Sequence, residues 1–125
     1  MTDALKARDA KDVEDVVRWA LAEGKTLEVA GRGSKRLLGR PSQSDLTLDL
    51  SGLSGVTLYE PEELVLSAKA GTPIAEIEAL VASRGQQLAF EPMDYGPVLG
   101  GSAGAGSLGG ALDSPRYGAA HVYPR

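Results

Sequence analysis

Between Asp9 and Gly24 the apolar residues Val13, Val16, Val17, Ala20 and Leu21 recur every three or four positions, the spacing that lines one side of an α-helix. Asp9 fits the N-cap with Asp12 at the third helical position, and Gly24 supplies the C-terminal stop. Asp12, Glu14, Asp15 and Arg18 fall on other faces and read as solvated, with Trp19 flanking the stripe as partial core. Residues 26–30 (TLEVA) alternate as a short strand and run into a turn-rich loop that continues to Pro41. Residues 46–50 (LTLDL), 56–59 and 64–69 alternate as three more strands, separated by Gly-Ser and Pro-Glu-Glu turns. These separations leave no room for helices, so hairpin-like pairing is expected among the three. Thr72 as N-cap and Pro73 at the first helical position open a second helix, whose buried face is Ile74, Ile77, Leu80 and Val81 and which Gly85 ends. A strand near residues 87–90 follows.

Helix, strand, meander strands, helix and strand in that order predict an α+β fold, with two helices on one face of a mixed sheet. No repeat of fixed period is visible. Beyond Glu91 apolar periodicity fades and small residues dominate, so this segment is expected to be ordered only by a ligand or by more protein.

Length and charge narrow the function. A chain of 125 residues accommodates one hydrophobic core but not a second domain with its own substrate pocket. Thirteen Lys and Arg against seventeen Asp and Glu give a net charge of −4, which argues against nucleic acid as a partner. With no cysteine, disulfides, thiolate zinc sites and iron–sulfur clusters are excluded within the chain, and no metal site is expected. No apolar run approaches the ~20 residues needed to span a bilayer. The first ten residues, MTDALKARDA, lack the apolar core of a secretion signal, and a cytoplasmic location is expected.

The sixteen glycines are unevenly placed, with a dense run between Gly96 and Gly118. Glycine lets backbone approach a ligand closely and adopt positive φ, so that successive amides can converge on an anion. Ala30-Gly31-Arg32-Gly33-Ser34-Lys35 has that makeup, with a hydroxyl donor and two cations; a surface turn with solvated basic residues is the alternative. Gly106-Ser107-Leu108-Gly109-Gly110 is the second such stretch, for which a Gly/Ala/Ser linker is the alternative. Neither stretch is a G-x-x-x-x-G-K-[ST] phosphate loop, and neither precedes an amphipathic helix as the Rossmann fingerprint requires.

Five features in order carry a resemblance: Val29-Ala30-Gly31-Arg32-Gly33-Ser34, Ala70-Gly71-Thr72, the apolar positions from Ile74 to Leu80, residues 88–94 (LAFEPMD), and Ser107-Leu108-Gly109-Gly110. In this pattern the chain resembles the flavoproteins with the FAD-binding domain of vanillyl-alcohol oxidase and p-cresol methylhydroxylase, over roughly Leu5 to Ala120. Within that family residues 88–94 and Ser114-Pro115-Arg116 look like the FAD-binding subunits of bacterial glycolate oxidases. The resemblance implies non-covalent FAD, since positions 31–35 hold no histidine, with Ala30, Gly31, Arg32, Gly33, Ser34, Lys35, Gly106, Ser107, Leu108, Gly109 and Gly110 facing the pyrophosphate and Pro92 near the flavin end. It implies residues 1–104 as a first FAD-binding subdomain and 105–125 as the truncated start of a second.

The activity implied is oxidation of a 2-hydroxy acid such as glycolate by hydride transfer to flavin, within a longer subunit and beside an iron–sulfur partner. Such partner subunits would bring the protein to the periphery of the inner membrane. The segment alone is expected to be inactive, because the family's substrate-cap region and the other wall of the FAD site are not in it. Catalytic residues are therefore unassigned: Arg116 is the cation to watch, His121 reads as incidental, and Glu62 and Glu63 read as a solvated turn. The contrasting expectation is a stand-alone, non-catalytic binding or interaction domain. In one departure from the family, only Ala111, Leu112 and Asp113 separate the Gly-Gly motif from Ser-Pro-Arg.

Overall fold

The computed structural model describes residues 3–34, 37, 40, 43–112 and 122–124. Strand β1 (Asp3–Lys6) precedes helix α1 (Ala10–Glu23) and β2 (Leu27–Ala30); β3 (Leu46–Asp49), β4 (Val56–Glu60) and β5 (Val65–Ala68) follow. Helix α2 (Ile74–Ala82), β6 (Gln86–Leu88), the short helices α3 (Tyr95–Val98) and α4 (Leu108–Leu112), and β7 (Val122–Pro124) complete the order. The α+β class holds, with parallel and antiparallel pairing segregated into three small sheets: β1-β3-β2, β4-β5 and β6-β7.

The sheet β1-β3-β2 is parallel throughout, which corrects the expected hairpin pairing of residues 46–50 with the strands after it. Alternation fixes which face a side chain takes but carries no information on the partner strand. Leu5, Leu48 and Val29 are register neighbours in one row. Leu48 on the central strand is 2% exposed, whereas Leu5 and Val29 on the edges are 39% and 62% exposed. Strand β1 went unread because four residues bounded by Asp3 and Lys6 carry too little pattern; its pairing comes from β3.

Helix α1 starts and stops as expected. The Asp9 carboxylate accepts from the Asp12 amide at 2.8 Å, and Gly24 caps the end at φ 62°. Its polar face carries exposed ion pairs four residues apart, Arg8–Asp12, Lys11–Asp15 and Arg18–Glu14. The apolar stripe is covered only in part: Ala20 is buried, Leu21 is 77% exposed, and Trp19 at 44% is less of a core residue than expected.

The better-packed half is α2 on the β4-β5 hairpin. Ile77 and Val81 are each 1% exposed and pack against Val56, Tyr59, Leu66, Ala68, Leu88 and Leu108. The Tyr59 hydroxyl donates to the Gln86 side-chain oxygen, and Gln86 donates to the Pro61 carbonyl at 2.6 Å, tying hairpin to β6. Glu62 and Glu63 sit exposed in the 3-10 turn Pro61–Glu63. Among the described residues no helix is long and apolar enough to cross a membrane.

Candidate functional site

The first glycine loop leaves the carboxyl end of β2, the edge of a parallel sheet at which open α/β folds bind ligands. Gly33 takes φ 74°, left-handed backbone that side chains rarely adopt, so the loop turns here because a Cβ is missing. Among the described residues no group accepts a hydrogen bond from the amides of Gly31, Arg32, Gly33 or Ser34. Arg32 is exposed on this loop. Lys35 lies outside the described residues, as do Arg116 and His121.

Three segments meet at this edge. Gly71 approaches the end of β3 so closely that an added Cβ would overlap the Leu50 carbonyl oxygen and stand 2.7 Å from that of Leu53. Next to it Thr72 is fully buried and does not cap α2, correcting its expected role. Its hydroxyl donates to the Lys69 carbonyl at 2.7 Å and accepts from the Gly55 amide at 3.0 Å, while Pro73 takes the N-cap position with no side-chain cap.

The second glycine loop lies antiparallel along this segment. The Ile74 amide donates to the Gly106 carbonyl at 3.0 Å, the Leu108 amide to Thr72 at 2.9 Å, and the Gly109 amide to Ala70 at 2.8 Å. An added Cβ at Gly109 would stand 3.0 Å from the Ala70 Cβ. Ser107, 5% exposed, then seats under Gly31, where an added Cβ would overlap the Ser107 hydroxyl oxygen. Gly31, residues 70–73 and residues 106–109 thus form one assembly, and sequence elements 40 and 76 residues apart become neighbours for lack of two β-carbons.

The expected site residues separate into distinct roles. The amides of Gly31, Gly33 and Ser34 have no acceptor among the described residues, and an added Cβ at Gly106 meets nothing within 4 Å, so that glycine faces open space. The amides of Leu108 and Gly109 are committed to Thr72 and Ala70, and the Leu108 side chain joins the Ile77 and Val81 core. Those two residues hold the second loop in place rather than offer donors. Ala30 is the last residue of β2, and its carbonyl accepts from the Leu50 amide at 2.8 Å. Pro92 stands apart, on the wall of a cavity of about 360 Å³ with Glu78, Gln87 and Phe90, and no residue of either glycine loop lines that cavity.

Ala70-Gly71-Thr72, which the resemblance alone singles out in the sequence, binds the sheet edge to the second loop. The signal available was a glycine beside a hydroxyl residue directly before a helix. Asp94, also unread as functional, organises the chain between β6 and the second loop.

At this edge the amides of residues 31–34 have no acceptor among the described residues, Gly33 takes left-handed backbone and Arg32 is exposed. That donor set suits the pyrophosphate of a dinucleotide.

Comparison with known proteins points the same way. A family model described as an FAD binding domain matches residues 4–122. Glycolate oxidase subunit GlcE of Escherichia coli (strain K12) is 40% identical over 95 residues, covering 74% of this chain and 27% of that protein. The chain thus spans about a quarter of the length of that relative. The solved structure of an alkyldihydroxyacetonephosphate synthase superposes with a TM-score of 0.67 at 19% identity, over 87% of this chain and 19% of the other, a likeness of fold.

Proposed function

Since the chain belongs to the FAD binding domain family and FAD is its cofactor, we propose that its two glycine loops hold the FAD pyrophosphate within a longer oxidoreductase that oxidises a 2-hydroxy acid. The observation that supports this reading is the seat of Gly31 on Ser107, which joins the first loop, whose amides 31–34 have no acceptor among the described residues, to the second. Those amides donate to the pyrophosphate oxygens, and Arg32 with Lys35 offsets their charge. Residues 106–110 act as the platform on which the first loop rests. With no histidine at positions 31–35 to form a covalent link, the cofactor is held non-covalently.

FAD held by these loops would supply the hydride acceptor for C2 of the hydroxy acid, with the hydroxyl proton passing to a base. The described residues contribute binding and orientation; the base and the partner of the substrate carboxylate belong to the longer protein. Likeness to a glycolate oxidase subunit supports a small 2-hydroxy acid as substrate; an iron–sulfur protein as electron acceptor is what the family resemblance implies. We place a second subdomain from residue 105, just before the chain pairs with residues 70–74 and enters α4.

Titration of the purified chain with FAD and with riboflavin, which lacks the pyrophosphate, tests the reading through quenching of flavin fluorescence. Saturable binding of FAD and none of riboflavin is expected. Equal affinity for the two would remove the pyrophosphate from the site, and no binding of either would overturn the assignment of these loops as sufficient to hold it.

A further inference from the structure

The chain between Met93 and Gly104 leaves its large apolar side chains largely uncovered, with Met93 47% and Val98 66% exposed, yet it is folded on itself. The Asp94 carboxylate accepts from the Gly96 amide at 3.0 Å and from the Gly104 amide at 2.8 Å, one oxygen for each. Between these points the Gly101 amide donates to the Gly96 carbonyl at 2.7 Å, and an added Cβ at Gly96 would overlap the Ser102 carbonyl oxygen. Gly100 and Gly104 both take positive φ, at 81° and 72°. One carboxylate closes the loop across ten residues, and Gly104 stands only two positions before Gly106, whose carbonyl receives the Ile74 amide.

We infer that Asp94 is a positioning residue of the cofactor site: by fixing Gly104 it sets the path on which residues 106–107 arrive at Pro73 and seat Ser107 under Gly31. This rests on the reading of the glycine loops given above. Both carboxylate oxygens face the loop's own amides, so the residue acts on the ligand through the second loop and not by contact. Hydrogen bonds to an ionised acceptor are among the stronger ones in proteins, which suits a loop with no core of its own.

Asp94→Asn tests this with little change of shape. The amide side chain keeps one acceptor oxygen and replaces the other with a donor, so only one of the Gly96 and Gly104 bonds survives. Gly96→Ala disturbs the same loop while leaving the carboxylate in place: its Cβ would overlap the Ser102 carbonyl oxygen and stand 3.2 Å from Asp94 Oδ1. For Asp94→Asn the thermal midpoint is expected to stay near that of the wild-type chain while FAD affinity falls roughly tenfold, the size of one lost charge-assisted bond; Gly96→Ala, which overlaps a backbone oxygen, is expected to lower both, with affinity falling further than the midpoint accounts for. Amide resonances of Ser107 and Gly109 are expected to shift and exchange faster with solvent, while those of α1 stay put. Wild-type affinity for FAD in both variants, or affinity that falls only in step with the thermal midpoint, overturns the positioning role and leaves the pyrophosphate reading standing. A wild-type chain that does not bind FAD overturns that reading and the inference with it.

Discussion

Ser107 lies under Gly31, so close that a single added carbon on Gly31 would overlap its hydroxyl oxygen and stand 3.4 Å from its Cβ. The relationship is reciprocal: the glycine is small because the serine is there, and the serine is buried because the glycine admits it.

Gly31→Ala should therefore separate the two loops. Overpacking of this kind costs roughly 1–3 kcal/mol, and part of it is relieved by displacing the first loop from its platform. FAD affinity is expected to drop about tenfold or more, with far-ultraviolet circular dichroism unchanged. Ser107→Gly removes both atoms that meet the new carbon, so the double variant should recover part of the loss, a coupling of about 1 kcal/mol in a double-mutant cycle. Strict additivity of the two changes would show that the contact does not link the loops.

Gly33→Val tests the backbone instead of the contact. At φ 74° a β-branched residue is strained by about 1–2 kcal/mol, and relaxation turns the free amides away from one another. FAD binding is expected to be abolished in fluorescence titration while the helices persist. A valine variant that binds FAD with wild-type affinity would detach the first loop from the cofactor.

Much of this site was legible because glycine and turn residues announce themselves. The first loop, residues 70–72 and the second loop were each visible as short motifs, but no spacing in the chain says that Ser107 reaches Gly31. Contacts between segments 76 positions apart depend on strand order, and the tight spacing of residues 46–50 from the strands after them suggests a hairpin where the fold pairs them in parallel with β1 and β2. Helix α1 was legible down to its caps because those interactions span four residues or fewer. Thr72 was misread for the opposite reason: a hydroxyl before Pro73 suits a cap, and only the fold brings Gly55 near enough to claim it. Residues 93–104 gave no apolar pattern and were expected to need outside support. Their order comes from a carboxylate and backbone amides, which hydrophobic periodicity does not register.

Ile77→Ala and Gly71→Ala should separate stability from binding. Ile77 is 1% exposed in the α2 core and touches the site only through the Leu108 side chain, so its truncation should cost about 2–5 kcal/mol in urea unfolding. FAD affinity of the remaining folded protein should be close to wild type. At Gly71 the obstructing atoms are the Leu50 and Leu53 carbonyl oxygens, which cannot rotate away. A loss of roughly 1–3 kcal/mol is expected there together with weaker FAD binding, because residues 70–73 carry the second loop. If Gly71→Ala lowered stability alone, residues 70–73 would be core and not platform.

Acid should loosen the two ends of the parallel sheet before it reaches the α2 core. The side-chain hydrogen bond from Arg8, reinforced by the Arg8 backbone amide, holds the Asp12 carboxyl at about 2 against an ordinary 3.8. The Thr26 amide and hydroxyl, both donating to Asp45, lower that carboxyl as well. A carboxyl depressed in the folded state stabilises fully above its unfolded value, and the contribution is lost as pH falls through the folded one. For Asp12 the window runs from about 3.8 down to about 2. Both groups are exposed and screened by salt, so the expected effect is a modest slope and not a collapse. The thermal midpoint should fall across this window and be flat just above it. Asp12→Asn, which cannot be protonated, should start from a lower midpoint near neutral pH and fall less steeply below 3.8. A variant profile parallel to wild type throughout would show that the Arg8–Asp12 pair adds nothing to the fold.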